Sequence, residues 1–181
     1  MLKAIFDFHR RYSHSEKPKQ VWFFVHLSVP LQKIHKNKYM KEIVLSGIRP
    51  TGNLHLGNYY GAVQNFVKMQ EDYNCYYFIA DWHSLTTHPK PEDIQQSART
   101  ILAEYLACGI DPEKSTIYIQ SDVPDTIELY LYLNMNCYLG ELERVTTFKE
   151  KARKQPDNVN AGLLTYPTLM AADILQHRAA K

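Results

Sequence analysis

The sequence predicts an α/β fold, a parallel sheet flanked by helices, and three observations carry that expectation. Three short apolar runs are spaced along residues 41–181, helical periods separate them, and polar loops follow each run. Glu42 to Ile48 is the first run and is expected as a strand. Asn58 to Glu71 follows with a helical period that places Tyr60, Val63, Phe66 and Val67 on one face. Tyr76 to Ala80 is continuously apolar and of strand length. Pro91 to Cys108 carries Ile94, Ala98, Ile101, Leu102, Tyr105 and Leu106 at helical spacing. Pro91 suits the first turn of that helix and Gly109 its C-terminal cap. Ser115 to Gln120 is rich in β-branched residues and reads as the third strand. Helical runs are expected over about 125–136, 140–154 and 167–177. Strands joined by helices of this length need right-handed crossovers, and nearly all-apolar strands suit a sheet covered on both faces.

Residues 1–39 read differently. They mix aromatics, histidines and scattered charge without a sustained period, so they are expected to form a poorly ordered N-terminal extension, with a domain over residues 40–181. The charge is divided in the same way. Residues 1–40 hold 8 Lys and Arg against 2 Asp and Glu, and the remainder holds 13 against 17, so the total of +2 hides a basic start and an acidic body. The body therefore offers no broad basic face of the kind that a general nucleic-acid binder presents. Hydrophobic residues make up 45% and charged residues 22%, which suits a globular protein with a real core. No apolar run is long enough to span a bilayer, so a cytoplasmic location with no membrane partner is expected. Cys75, Cys108 and Cys137 are odd in number and widely spaced, which argues against a disulfide framework and against a zinc site.

The stretch Pro50-Thr51-Gly52-Asn53-Leu54-His55-Leu56-Gly57-Asn58 is the most informative part of the chain. It joins the first strand to a helix N-terminus, where free N–H groups and the helix dipole favour a phosphate, and glycine lets the backbone come close. His55 adds a donor. The spacing fits neither Gly-x-x-x-x-Gly-Lys-Ser/Thr nor Gly-x-Gly-x-x-Gly. From pattern alone, a phosphate cradle and a tight turn with a surface histidine both remain open. In an open α/β sheet, ligands sit at the carboxyl ends of the strands, and the loops after the second and third strands, Asp81-Trp82-His83 and Ser121-Asp122, lie at that same edge. Asp173 is the second focus. It interrupts an apolar helical run, Leu169 to Leu175, and a lone carboxylate there needs a partner, which could be a neighbouring Arg or Lys or a ligand.

His55-Leu56-Gly57-Asn58 resembles the first signature of class I aminoacyl-tRNA synthetases. Gly140 to Lys151 (GELERVTTFKEK) and Gly162 to Leu175 (GLLTYPTLMAADIL) resemble segments of bacterial-type tryptophanyl-tRNA synthetases, as do Ile79 to Thr86 and Gly109-Ile110-Asp111-Pro112. The resemblance runs from about residue 40 to 175, and it implies a Rossmann-like catalytic domain in its first half. It further implies activation of L-tryptophan by ATP, brought with Mg2+ as substrate and without a tightly bound cofactor or resident metal. Transfer to tRNA(Trp) and a homodimeric full-length protein are implied too. By that resemblance Arg49, Pro50, Thr51, Gly52, Gly57 and Asn58 border ATP, and His55 and Asn58 act on the phosphates as charge develops there. Asp173 accepts the indole N–H, Met170 walls the indole pocket, Tyr166 meets the substrate's amino group, and His83 lies near the amino acid. Indole nitrogen only donates, so a carboxylate is a fitting reader. A basic cluster, Lys149 to Lys154, reads either as a tRNA contact or as a solvated surface.

The family pattern continues past residue 181 with a lysine-rich loop for pyrophosphate and an anticodon-reading domain. The chain as written is therefore expected to be a truncated first half that does not charge tRNA by itself. Leu45 departs from the pattern, where relatives often place an aromatic residue. The other readings are a tyrosyl-tRNA synthetase fragment, another nucleotidyl transferase, and a non-catalytic binding or dimerising fragment.

Overall fold

Each of the three apolar runs forms a parallel strand of one sheet in order β1-β2-β3: β1 (Ile43–Ile48), β2 (Asn74–Ile79) and β3 (Ser115–Ile119). The computed structural model describes residues 41–87 and 89–181, so the expectation of a poorly ordered segment over 1–39 lies outside the described residues. Ile48 pairs with Ile79 and Ile79 with Ile119, so the three strands finish abreast. The loops that follow them consequently emerge at one level. Past the last helix, Ala180 N–H donates to Ile43 O at 2.9 Å and Leu45 N–H donates to Lys181 O at 3.1 Å, which continues the pairing on the β1 edge opposite β2. The chain moves outward from β1 to β3 and then returns to the far side of β1. That reversal makes the carboxyl end of β1 a switch point, the place where open α/β sheets bind ligands.

After β1 come a short helix α1 (Leu56–Asn58), a wide π-helical turn (Tyr59–Val63) and α2 (Gln64–Met69). The wide turn shows in Gln64 N–H, which donates to Tyr59 O five residues back. It also rotates the helical face. Val63 and Phe66 are buried as expected, but Tyr60 is 64% exposed. A short α3 (Asp81–Ser84) follows β2, and α4 (Pro91–Ala107) follows in turn. Pro91 opens α4, and Gly109 closes it with φ +100°, a conformation that glycine takes without strain. Ile94, Ala98, Ile101 and Tyr105 face the core, whereas Leu102 and Leu106 are 39% and 45% exposed. The buried stripe is thus narrower than the apolar pattern suggested.

The core beneath the sheet joins Val44, Ile48, Val63, Phe66, Cys75, Tyr77, Ile79 and the buried face of α4. Phe66 and Tyr77 stack with ring centres 4.4 Å apart, and Tyr77 Oη donates to Phe66 O at 2.9 Å. Burial pushes the Tyr77 phenol well above its ordinary pKa. Each such fully buried large side chain is worth about 1.5–3 kcal/mol.

Beyond β3 the chain is helical: α5 (Asp125–Asn136), α6 (Leu139–Arg144), α7 (Thr146–Lys154) and α8 (Ala161–His177). The run over 140–154 is split, because Val145 adopts φ −61°, ψ 122°, an extended geometry between α6 and α7. Helix α8 begins six residues earlier than Pro167 suggested. Asn160 caps it by accepting from Leu163 N–H at 2.9 Å, so the helix starts at a side-chain cap and tolerates the proline two turns in. Helices α5 and α8 pack against each other. Among the described residues no helix is long and apolar enough to cross a membrane.

Candidate active site at the carboxyl edge of the sheet

The loop after β1 is held from both sides. Gly52 takes φ +112°, which favours glycine. Leu54 N–H donates to Glu104 Oε2 on α4 at 2.8 Å, tying the loop to the core helix. His55 then caps α1: Asn58 N–H donates to His55 Nδ1 at 3.2 Å, and His55 N–H donates to Asn58 Oδ1 at 3.2 Å. This reciprocal box satisfies two free donors at the helix start. It also fixes the tautomer. A nitrogen that accepts carries no proton, so in the neutral ring the hydrogen sits on Nε2, which is available to a ligand. Gly57 makes the arrangement possible, since a Cβ there would lie 2.9 Å from the His55 ring.

The loop after β2 is anchored to the loop after β3. Asp81 Oδ1 accepts from its neighbour Trp82 N–H at 2.9 Å and from Ser121 N–H at 3.2 Å. His83, one residue further into α3, reaches Asp173 of α8, its Nε2 lying 3.0 Å from Oδ2. Asp173 is 1% exposed. Its carboxylate also accepts from Gln120 Nε2, at 2.9 Å to each oxygen. The partner of the buried carboxylate is therefore a histidine and an amide from the strand ends, not a nearby Arg or Lys. The Asp173 carbonyl accepts from His177 Nδ1 at 2.9 Å, which leaves His177 Nε2 to accept from Tyr118 Oη at 3.1 Å. Burial, and then the Asp173 charge, hold the Tyr118 phenol well above its usual pKa.

A third group lies between helix α7 and the start of α8. Lys151 Nζ sits 3.9 Å above the centre of the Tyr166 ring. Tyr166 Oη hydrogen-bonds Thr147 Oγ1. Burial first, and then the positive charge of Arg49, lower the Lys151 pKa. Arg49 follows β1 directly, at the start of the Gly-containing loop.

The structure thus brings His83 together with Asp173, and Tyr166 together with Lys151. His55, Asn58, Gly57, Gly52 and Thr51 form the loop, and Pro50 is buried at its base. Met170, three residues before Asp173, does not share its burial: it is 48% exposed. Sequence reasoning missed Gln120, which had looked like the end of a strand, and Lys151, which had looked like one charge in a basic cluster. The only signal for Lys151 was its spacing from Phe148 on the less charged side of α7.

Residues 37–180 match the family model described as tRNA synthetases class I (W and Y). A tryptophan--tRNA ligase of Porphyromonas gingivalis is 78% identical over 140 residues, covering 77% of this chain and 43% of the relative. One from Clostridium tetani is 49% identical over 139 residues, covering 77% and 41%. The chain spans less than half the length of these curated relatives. Among solved structures, the Campylobacter jejuni tryptophanyl-tRNA synthetase complexed with ADP and tryptophan superposes with TM-score 0.67 at 42% identity, over 73% of this chain and 41% of that one. A tyrosyl-tRNA synthetase of Archaeoglobus fulgidus, complexed with L-tyrosine, shares the fold with TM-score 0.67 at 22% identity, over 78% and 45%. The sheet with its Rossmann-like crossovers, the capped loop after β1 and the extent of these matches lead to one conclusion: the chain belongs to the class I tRNA synthetases of the tryptophan and tyrosine (W and Y) family.

Proposed function

We propose that this chain carries the amino-acid-activating site of a tryptophan–tRNA ligase, and the observation that carries the reading is the buried carboxylate of Asp173. A carboxylate at 1% exposure on an apolar helix is costly unless each lone pair is used. Gln120 and His83 take part of its capacity, and a donor-only group such as an indole N–H suits the rest. In this reading His83 and Tyr166 border the amino acid, with Met170 at the outer rim.

The tryptophan carboxylate attacks the α-phosphate of ATP, forming tryptophanyl-adenylate and releasing pyrophosphate. The tryptophanyl group then passes to the 3′-terminal ribose of tRNA(Trp). The chemistry needs positioned donors more than a nucleophile, because charge grows on phosphate oxygens. His55 Nε2 supplies one such donor and Asn58 completes its cap, while Gly52 and Gly57 allow close approach and Thr51 borders the nucleotide. Pro50 shapes the base of the loop. Arg49 and Lys151 supply positive charge, and their mutual repulsion is relieved by an anion. Mg2+ enters as the counter-ion of ATP. Identity of 78% to a tryptophan--tRNA ligase supports tryptophan over tyrosine. A homodimeric, cytoplasmic enzyme completes the reading. The exposed stripe Ile127, Leu131 and Met135 on α5 is suited to self-association.

Thermal denaturation with each amino acid tests the assignment. A ligand held at 100 times its Kd stabilises by about 2.7 kcal/mol, a rise of about 5–10 °C for a chain of this size. Tryptophan is expected to give that rise and tyrosine little or none. A larger rise with tyrosine overturns the assignment.

A further inference from the structure

Gln120 is the first residue beyond β3 and is completely buried. Its Nε2 lies 2.9 Å from both oxygens of Asp173. An ionised carboxylate can only accept, so the amide must turn its NH2 group that way. The opposite end of the same amide, Oε1, is buried and has no hydrogen-bond partner among the described residues. A side chain present only to satisfy the interior would not leave a buried acceptor bare, since that is costly. The amide accepts this cost in order to donate from Nε2 to both oxygens of the carboxylate. Donation to both oxygens fixes the plane of the carboxylate. His83 bonds only Oδ2, so it cannot fix that plane alone.

We infer that Gln120 is the positioning residue that sets the aim of Asp173, and thereby the preference for a ring that bears an N–H. The inference rests on the reading of Asp173 as the acceptor of the indole N–H. Two amino acids separate the two claims: tryptophan, and 3-benzothienylalanine, in which sulfur replaces the ring N–H at nearly the same shape.

The experiment is calorimetric titration of both compounds into the 181-residue chain and into Gln120→Met, which keeps the volume and removes the donor. The unaltered chain is expected to prefer tryptophan by about 30-fold or more, because an analogue that lacks the hydrogen leaves the carboxylate unpaired. In Gln120→Met that ratio is expected to fall below about fivefold, while affinity for the sulfur compound moves by less than about threefold, since uniform losses reflect binding unrelated to the N–H. A preserved ratio, whether or not both affinities fall together, overturns the role of Gln120. Failure of the unaltered chain to distinguish the two compounds overturns the reading of Asp173 itself.

Gln120→Glu provides an independent test that does not depend on Gln120→Met folding. Two carboxyls in contact share a proton, and one pKa of the pair is raised. While that proton is held, the pair keeps an internal donor and the preference for tryptophan persists. As pH rises through the raised value, the proton leaves and the preference is lost. The other titratable groups near Asp173 are His83 from α3, Tyr118 from β3 and His177 one turn along α8, with Tyr76 of β2 against His177. All four are common to both proteins, so the unaltered chain is the control. A fall of the ratio with pH in the variant alone supports the inference, and parallel profiles overturn it.

Discussion

The two ends of the proposed site are built by opposite means. At the loop after β1, His55 and Asn58 cap each other across three residues of sequence, and the group offered to a ligand is exposed. At Asp173, the partners come from 53 and 90 residues away, and the group offered is buried. The first end needs a glycine, a helix start and a tie from Leu54 N–H to Glu104. The second needs β2, β3 and α8 all in place. It follows that damage to the loop should remain a local, phosphate-side defect, whereas damage at Asp173 should couple amino-acid binding to the stability of the fold.

Asp173→Ala is expected to have the largest effect. It removes the acceptor for Gln120 and His83 and leaves one buried and one part-buried donor unpaired, at about 1–3 kcal/mol each. Urea denaturation is expected to show a loss of about 2–4 kcal/mol, together with the loss of tryptophan binding. A variant as stable as the unaltered chain would break the contrast between the two ends.

Gly57→Ala comes next. Its Cβ would lie 2.9 Å from the His55 ring, so the imidazole must leave its capping position. Loss of such a cap costs about 0.5–2 kcal/mol. ATP affinity is expected to fall at least tenfold while tryptophan affinity is nearly unchanged, and titration with each ligand measures both.

Glu104 sharpens the comparison, because it is a long-range tie on the loop end. Glu104→Ala leaves Leu54 N–H without its acceptor and is expected to cost about 1–2 kcal/mol in denaturation, whereas Glu104→Gln, which keeps an acceptor, costs less than about 1 kcal/mol.

The smallest expected effect is a pH dependence. Burial and then Arg49 lower the Lys151 pKa, so the cation is lost as pH rises through a value below the free-lysine range. ATP affinity is therefore expected to weaken on the alkaline side earlier than an ordinary lysine would cause. Lys151→Arg should flatten that limb, and Arg49→Ala should move it to higher pH.

The same division explains what could be read from the sequence. The strands, the switch-point loop and α5 are visible because apolar runs, glycine and helical period are local signals. The family resemblance was legible for the same reason, in short contiguous stretches. The exposure of Tyr60 was not legible, because a π-helical turn alters the face without altering the pattern. Val145 carries no proline or glycine to mark the break between α6 and α7. Met170 and Asp173 share a helical spacing, but the packing of α8 buries only one of them. The pairing of His83 with Asp173, the amide of Gln120 and the meeting of Lys151 with Tyr166 are products of tertiary structure, and no spacing in the chain encodes them.

The most direct test of the account is parallel titration of tryptophan and ATP into the unaltered chain and into Asp173→Asn, which keeps the shape of the side chain and removes its charge. Hydrogen bonds to charged groups are worth about 1.5–3 kcal/mol, so tryptophan affinity should fall about 10- to 100-fold while ATP affinity stays within about threefold. Unchanged tryptophan affinity, or an equal loss of both ligands, would contradict the assignment of Asp173 to the amino-acid end.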